Sequence, residues 1–256
     1  MTRLPLAFIA LAAACSPEAQ APKPSNKEAA KTAPAPEAKE RLVEEKNELL
    51  EFTYGWPAEA TAIPKLVASF EAEMARLRTE ALDMARDDKA GRTADLPFNG
   101  HYLSKVWKTY GNGRRLLSLG ASAETFTGGA HGNMAYDGIL WDRKAAAPLK
   151  PTQLFTDPAR AFELLAQTFC QRLDRERAER RNEELPLQGT DFMVECPALA
   201  EQVIVPLDRD DRVFESFIVL IPPYTAGPYA EGSYEVEIEL TDEVRRLIKP
   251  GYAGDF

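Results

Sequence analysis

HYLSKVWKTYGNGRRLLSLGASAETFTGGAHGN, residues 101–133, decides how the rest of the chain is read. Two strand-like runs, 101–110 and 114–121, flank Gly111-Asn112-Gly113. Asn-Gly between such runs is a strong hairpin signal, because both residues accept positive φ. A third strand from about Glu124 leads into Thr127-Gly-Gly-Ala-His-Gly-Asn133, and a fourth, 134–141, leads out. The expectation is an antiparallel meander whose last turn is richer in glycine than a hairpin needs. Gly128, Gly129 and Gly132 would supply backbone shapes or close approaches that a side chain forbids.

On the N-terminal side, Phe52, Tyr54 and Trp56 alternate with Glu51, Thr53 and Gly55, which reads as a strand ended by Pro57. Thr61 is expected to cap a helix with Pro64 in its first turn; Leu66, Phe70, Met74, Leu77 and Met84 would form its buried stripe to about Arg86. On the C-terminal side, Asp157-Pro158 pairs a capping side chain with a proline at the first helical position. Phe162, Leu165, Ala166, Phe169, Cys170 and Leu173 form the apolar face of that helix, and the charged run 174–184 reads as a solvated extension. Strands are expected at 202–207, 213–221 and 234–240. In the last, Tyr234, Val236, Ile238 and Leu240 alternate with Glu235, Glu237 and Glu239, giving one buried face and one acidic, solvent-exposed face. A long loop, 222–232, carries Tyr224 and Tyr229, and Thr241 caps a short final helix.

The composition is that of a globular protein: 256 residues, 45% hydrophobic and 9% aromatic. A net charge of −9 disfavours nucleic acid and anionic membrane surfaces as direct partners and favours cationic ones. The first residues read as an export signal, with Arg3 as its basic region and an apolar run from Leu4 to Ala14 that is too short to span a bilayer. Leu11-Ala-Ala-Ala14 before Cys15 looks like a bacterial lipobox, which would make Cys15 the acylated first residue of a lipoprotein; ordinary signal-peptidase cleavage near Ala14 is the alternative. Ser16 after the cysteine favours the periplasmic side of the outer membrane, with a soluble periplasmic protein as the other possibility. Residues 16–48 are rich in Pro, Ala, Lys and Glu and read as a tether, with a helical lead-in near its end. Cys170 and Cys196 in an exported chain read as a disulfide contributing about 3 to 4 kcal/mol, or else as two buried thiols.

The glycine-histidine turn, the helix that follows residues 149–155, and Pro223-Tyr224 through Pro228-Tyr229-Ala-Glu-Gly232 before an alternating strand together resemble the extracytoplasmic RsiV-type family. Its domain is shared with the non-catalytic region of PdaC-type peptidoglycan deacetylases. The resemblance covers roughly residues 51–247. It implies an α+β fold, antiparallel sheets with packed helices, in which an N-terminal strand-helix-meander module precedes a C-terminal helix-plus-sheet module. The expected division is 1–15 leader and lipobox, 16–48 tether, 49–147 PdaC-type module and 148–256 RsiV-type module. The resemblance also implies recognition of lysozyme-like enzymes, or of peptidoglycan, outside the cell. Sigma-factor regulation and deacetylation are not carried over, because this sequence lacks the segments that would perform them.

No His-Glu-x-x-His, Cys-x-x-Cys, Gly-x-Ser-x-Gly or phosphate-loop motif is present, so no catalytic residue, metal or cofactor is assigned. Only two histidines exist. His131 could hydrogen-bond its own turn, contact a ligand, or, with Asp137 or Glu231, act as a base in a cell-wall-modifying hydrolase. The binding candidates are His131, Asn133, Tyr224, Tyr229 and Glu231. Tyrosine offers large contact area at low entropic cost, so function is expected on the surface that the turn forms with the tyrosine loop.

Overall fold

In the computed structural model, residues 38–93, 95–187, 193–210 and 213–256 are described. The expected leader, lipobox, Cys15 and most of the tether lie outside these residues. Strand β1 (Arg41–Lys46) pairs antiparallel with β2 (Leu50–Trp56), and the Asn47 side chain closes the turn by accepting from the amides of Leu49 and Leu50. This corrects the tether boundary and the helical lead-in: the folded part starts before Leu49. The reason is that β1 is an edge strand, where Arg41, Glu44, Glu45 and Lys46 can pair their backbone on one side and keep their charges in water. In β2 the predicted alternation holds, with Leu50, Phe52, Tyr54 and Trp56 buried.

A short helix α1 (Ala58–Thr61) and a long helix α2 (Pro64–Gly91) follow. Thr61 ends α1 instead of capping α2, whose N-cap is Ile63 with Pro64 at the first position. The crossover through α2 delivers β3 (His101–Asn112) parallel to β2. The sheet is therefore mixed, where the sequence reading expected antiparallel pairing throughout; a connection of this length containing a helix is what a parallel pair requires. Strand β4 (Leu116–Phe126) pairs antiparallel with β3 in the expected hairpin, with a register shift between Thr109 and Gly111, but the turn falls at 113–115: Asn112 is the last residue of β3, paired with Leu117, and neither Asn112 nor Gly113 has a positive φ. β4 runs unbroken through Ser122 and Ala123, so the two strands read at 114–121 and from Glu124 are one: nothing in that stretch breaks an extended backbone. Strand β5 (Asn133–Asp142) and the short β6 (Ala147–Leu149) complete a six-stranded sheet in sequence order. The module boundary read at 147/148 thus falls within β6.

Helix α3 (Pro158–Arg181) begins as its sequence dictates, with the Asp157 carboxylate accepting from the Arg160 amide and Pro158 at the first position. Strands β7 (Val203–Leu207), β8 (Ser216–Ile221) and β9 (Tyr234–Glu239) form a three-stranded antiparallel sheet. Helix α4 (Asp242–Leu247) closes the chain with Thr241 as its cap. Cys170 and Cys196 are joined in a disulfide.

The layers follow from where the apolar faces point. α2 packs on one face of the large sheet through Phe70, which meets Trp56 and Trp107 at ring-centre distances of 5.6 and 5.2 Å. The opposite face meets the small sheet, with Tyr136 against Val205, Ile218 and Leu220. The far side of the small sheet is covered by α3, with Leu165, Phe169 and Leu173 against Phe217, Val219, Val236 and Ile238. The fold is α+β, in the order helix, large sheet, small sheet, helix, all within one compact unit spanning Glu37–Phe256.

The C-terminal residues lock the layers together. The Asp255 carboxylate accepts from the amides of Arg115 (2.9 Å) and Leu116 (2.7 Å). Asp142, 1% exposed, receives the Arg115 guanidinium, closest contact 2.6 Å, and the Tyr252 hydroxyl at 3.2 Å. The Arg115 guanidinium, helped by the amides of Ala145 and Lys144 and the Tyr252 hydroxyl, outweighs burial and holds the Asp142 carboxyl at about 2, down from 3.8. Because the folded value lies below the unfolded one, this stabilisation is present above about pH 4 and drains away as pH falls toward 2. It should be worth about 2 kcal/mol. Urea midpoints measured from pH 5 down to pH 2 should show this loss in the wild type, and Asp142→Asn should start lower and decline less steeply. Parallel declines in the two proteins would refute the assignment.

Candidate binding surface

The turn between β4 and β5 takes its shape from a few positions. Gly128 has φ +83°, and a Cβ there would lie 2.8 Å from the guanidinium of Arg92. Arg92 follows the C-terminus of α2 and is held by both carboxylate oxygens of Asp88, at 2.8 and 2.9 Å. Asp88 also accepts from His101 Nε2 at 3.1 Å when that nitrogen carries the proton, so the turn leans on a braced helix end. Gly132 is required by a close approach, since a Cβ would come within 3.1 Å of the Thr125 carbonyl. Gly129 has neither a positive φ nor a neighbour closer than 4.0 Å, so the conformational role expected of all three glycines falls to Gly128 and Gly132.

Across from this turn stands the loop between β8 and β9. Tyr224 sits there at φ 69°, a left-handed conformation that a bulky residue rarely adopts. Its side chain is 55% exposed. Tyr229 opens a 3₁₀ turn, Tyr229–Glu231. The two loops meet through their rings: His131 stacks on Tyr229 with centres 3.9 Å apart and planes at 23°, and lies 6.1 Å from the Tyr224 ring. His131 Nδ1 is 2.8 Å from the Gly132 carbonyl and Nε2 is 3.2 Å from the Tyr224 hydroxyl. The Tyr229 hydroxyl donates to the same Gly132 carbonyl at 3.0 Å. The imidazole is exposed, at one corner of a three-ring cluster in which the Tyr224 and Tyr229 centres lie 5.5 Å apart. Beside this stack opens a groove of about 460 Å³ lined by Asn133, Met134, Phe126, Pro223, Tyr229 and Glu231 among others.

Of the predicted candidates, His131, Tyr224 and Tyr229 converge, and Asn133 lines the groove. Glu231 reaches the groove but is a brace: Arg181 grips its two oxygens at 2.8 and 3.1 Å, and the Tyr234 hydroxyl donates to it. Burial pushes the Glu231 carboxyl up, but Arg181 and Tyr234 together hold it below the ordinary carboxylate range. The two acids considered as partners of His131 are engaged elsewhere, Glu231 as described and Asp137 with Lys105 at 2.5 Å. Among the described residues, the hydrogen bonds of His131 go to Gly132 and Tyr224. No group of three or more His, Cys, Asp or Glu side chains converges among the described residues either.

What positions the tyrosine loop was not anticipated. The charged tail of α3, read as solvated, contains Arg177 at 0% exposure. Its guanidinium donates to the carbonyls of Ala226 (2.8 Å), Val194 (3.0 Å) and Glu195 (2.9 Å). Arg180 donates to the carbonyls of Glu231 and Ser233, and its guanidinium lies 3.8 Å from the Tyr234 ring centre. Three arginines of one helix end thus fasten 226–233, and the disulfide from Cys170 fastens the neighbouring segment at Cys196. One signal in the sequence pointed here: Leu165, Phe169, Leu173 and Arg177 follow at four-residue steps, so Arg177 continues the buried stripe.

Residues 43–134 match the family model described as deacetylase PdaC. The chain carries a PdaC-type domain. Its matched residues run from within β1 to the start of β5 and so include the glycine-histidine turn, while the tyrosine loop comes from outside the match. Over the longer chain, the fold is similar to the crystal structure of a member of the DUF3298 family from Bacteroides fragilis, with TM-score 0.53 and 16% identity over 85% of this chain and 95% of that one. A DUF3298 family protein from Pseudomonas aeruginosa gives TM-score 0.48 and 16% identity over 83% of this chain and 92% of that one. The PdaC-type domain is thus embedded in a fold shared with the Bacteroides protein. No curated protein matches this chain in sequence. Among the described residues no helix is long and apolar enough to cross a membrane.

Proposed function

We propose that this chain is a non-enzymatic cell-envelope lipoprotein, exported and anchored through Cys15, whose domain binds a cationic protein of the lysozyme type. One observation carries the reading: residues far apart in sequence, His131 on one loop and Tyr224 and Tyr229 on another, assemble an exposed aromatic stack at the rim of a groove. Aromatic side chains held rigid before binding are the usual anchors of protein interfaces, because little entropy remains to be lost. The net charge of −9 would steer a basic partner toward this surface. The resemblance to RsiV-type domains supports the partner class, and the tether read at the N-terminus would hold the domain away from a membrane. A cell-wall-modifying reaction at His131 is the less favoured reading, since neither Asp137 nor Glu231 reaches its ring.

The test is calorimetric titration of the full chain with lysozyme and, separately, with soluble peptidoglycan fragments. The expected result is saturable binding of lysozyme that weakens at raised salt and weakens roughly tenfold or more in Tyr229→Ala, as for loss of an interface anchor. Flat titrations with lysozyme, or heat from the fragments alone, would overturn the protein-binding reading.

A further inference from the structure

A second site lies on the other face of the large sheet. α2 leaves the first half of β5 open on that face, with Asp137 and Gly138 exposed, and a cleft of about 520 Å³ lies between helix and strand. Lys105, its side chain 5% exposed, sits at the cleft floor. Its Nζ donates to Glu73 Oε1 at 2.6 Å and to Asp137 Oδ2 at 2.5 Å, and lies 5.0 Å from the Trp107 ring centre. Glu73 is fixed in turn: its other oxygen accepts from the Tyr54 hydroxyl, which itself accepts from Trp107 Nε1 at 3.2 Å. Taking a lysine and a carboxylate out of water is expensive, and a well-packed apolar cluster would stabilise the fold at least as well. The polar cluster is therefore not explained by stability alone. A fixed array of ionised groups opening onto a cleft is what recognition of a polar ligand requires.

We propose that this cleft binds an uncharged pyranose unit of a glycan. Asp137 is half exposed, and its Oδ1 has no hydrogen bond among the described residues, so it offers an acceptor held in place by the Lys105 bond on Oδ2. Ser69 and Arg76 add polar groups at the rim, and Phe70 and Ile139 supply apolar wall. A pyranose presents hydroxyl donors around its edge and C–H groups on its faces, which matches acceptors beside apolar surface. Arg76 is itself paired with Glu80 at 2.7 Å, so Glu73 and Asp137 against Lys105 leave one negative charge in excess, and an anionic sugar meets repulsion. Lys105 Nζ already donates to carboxylates on both sides, so its part is to hold the two acceptors in place. The site is independent of the aromatic stack at His131.

The full chain would be titrated by calorimetry and saturation-transfer NMR with three probes: cellotriose, the trisaccharide of N-acetylglucosamine, and a glucuronate oligomer. Saturable binding of either neutral trisaccharide, or both, is expected, with the uronate at least tenfold weaker. Ala72→Phe, an exposed position on the cleft wall, should fill the cleft and weaken binding at least tenfold without lowering the thermal midpoint. Asp137→Asn should weaken binding similarly, and Tyr229→Ala should leave it unchanged. Failure of both neutral sugars to bind, equal binding of the uronate, or full binding by Ala72→Phe would overturn the proposal. Loss of sugar binding in Tyr229→Ala alone would place the sugar in the other groove and equally overturn it.

Discussion

Replacing Arg177 by alanine is expected to lower the unfolding free energy by about 3 to 5 kcal/mol, the range for breaking a buried charged network from one side. The guanidinium lies wholly inside the protein and serves carbonyls from two separate segments, Val194 and Glu195 on one side and Ala226 on the other. Burial pulls the Arg177 pKa down while Asp174, at 3.3 Å, supports the charged form. Alanine would leave these carbonyls without their donor and add a cavity. Arg177→Met would restore most of the volume but none of the hydrogen bonds, so it should recover a minority of the loss. Arg177→Lys would keep the charge, but a single ammonium lacks the planar fork that reaches two segments at once. Urea denaturation of the three variants checks the order; a methionine variant as stable as the wild type would show that Arg177 fills space and little more. Because Ala226 lies in the tyrosine loop, the alanine variant should also loosen Tyr224 and Tyr229 and weaken partner binding.

Removing the disulfide should be nearly as severe. The double variant Cys170→Ala, Cys196→Ala is expected to lose about 2 to 5 kcal/mol, chiefly because the unfolded chain regains the freedom of the closed loop. The bond joins α3 to the turn whose carbonyls, Val194 and Glu195, Arg177 also holds, so the two losses share a structure and should not add: combining them should cost less than their sum. Thiol labelling of the native wild type should modify neither Cys170 nor Cys196 until a reductant is supplied. Labelling without reductant, or a double variant as stable as the wild type, would contradict the role given to the bond.

Much of this architecture was legible because the responsible forces are local. Asp157-Pro158 starts α3 with its own cap and proline, and the glycines around Asn112 mark the hairpin, although its turn at 113–115 uses no positive φ at Asn112 or Gly113. The alternation from Tyr234 to Leu240 is visible because one face of β9 packs on α3 while Glu235 and Glu239 stay exposed. What was hidden depends on distant partners. β1 is charged, with Leu42 left 55% exposed, and becomes a strand only because β2 offers it an edge. The parallel pairing of β2 with β3 is set by the α2 crossover, which no short window of sequence contains. Arg177 and Lys105 were hidden for a related reason: a charged residue reads as solvated until its buried partners are in view. At the candidate surface the sequence named His131, Tyr224 and Tyr229 but not their stacking, which depends on how β5 and β9 are brought together through the two packed sheets.

The two histidines make the central claim directly measurable. His131 is exposed and stacked on Tyr229, while His101 is buried beside Asp88 and Phe98, so their ring-proton NMR signals report on two separate places. Titrating the full chain with lysozyme should shift or broaden the His131 signal and leave that of His101 in place. Binding that leaves His131 unmoved, or that moves His101 instead, would contradict a binding surface built from the glycine-histidine turn and the tyrosine loop.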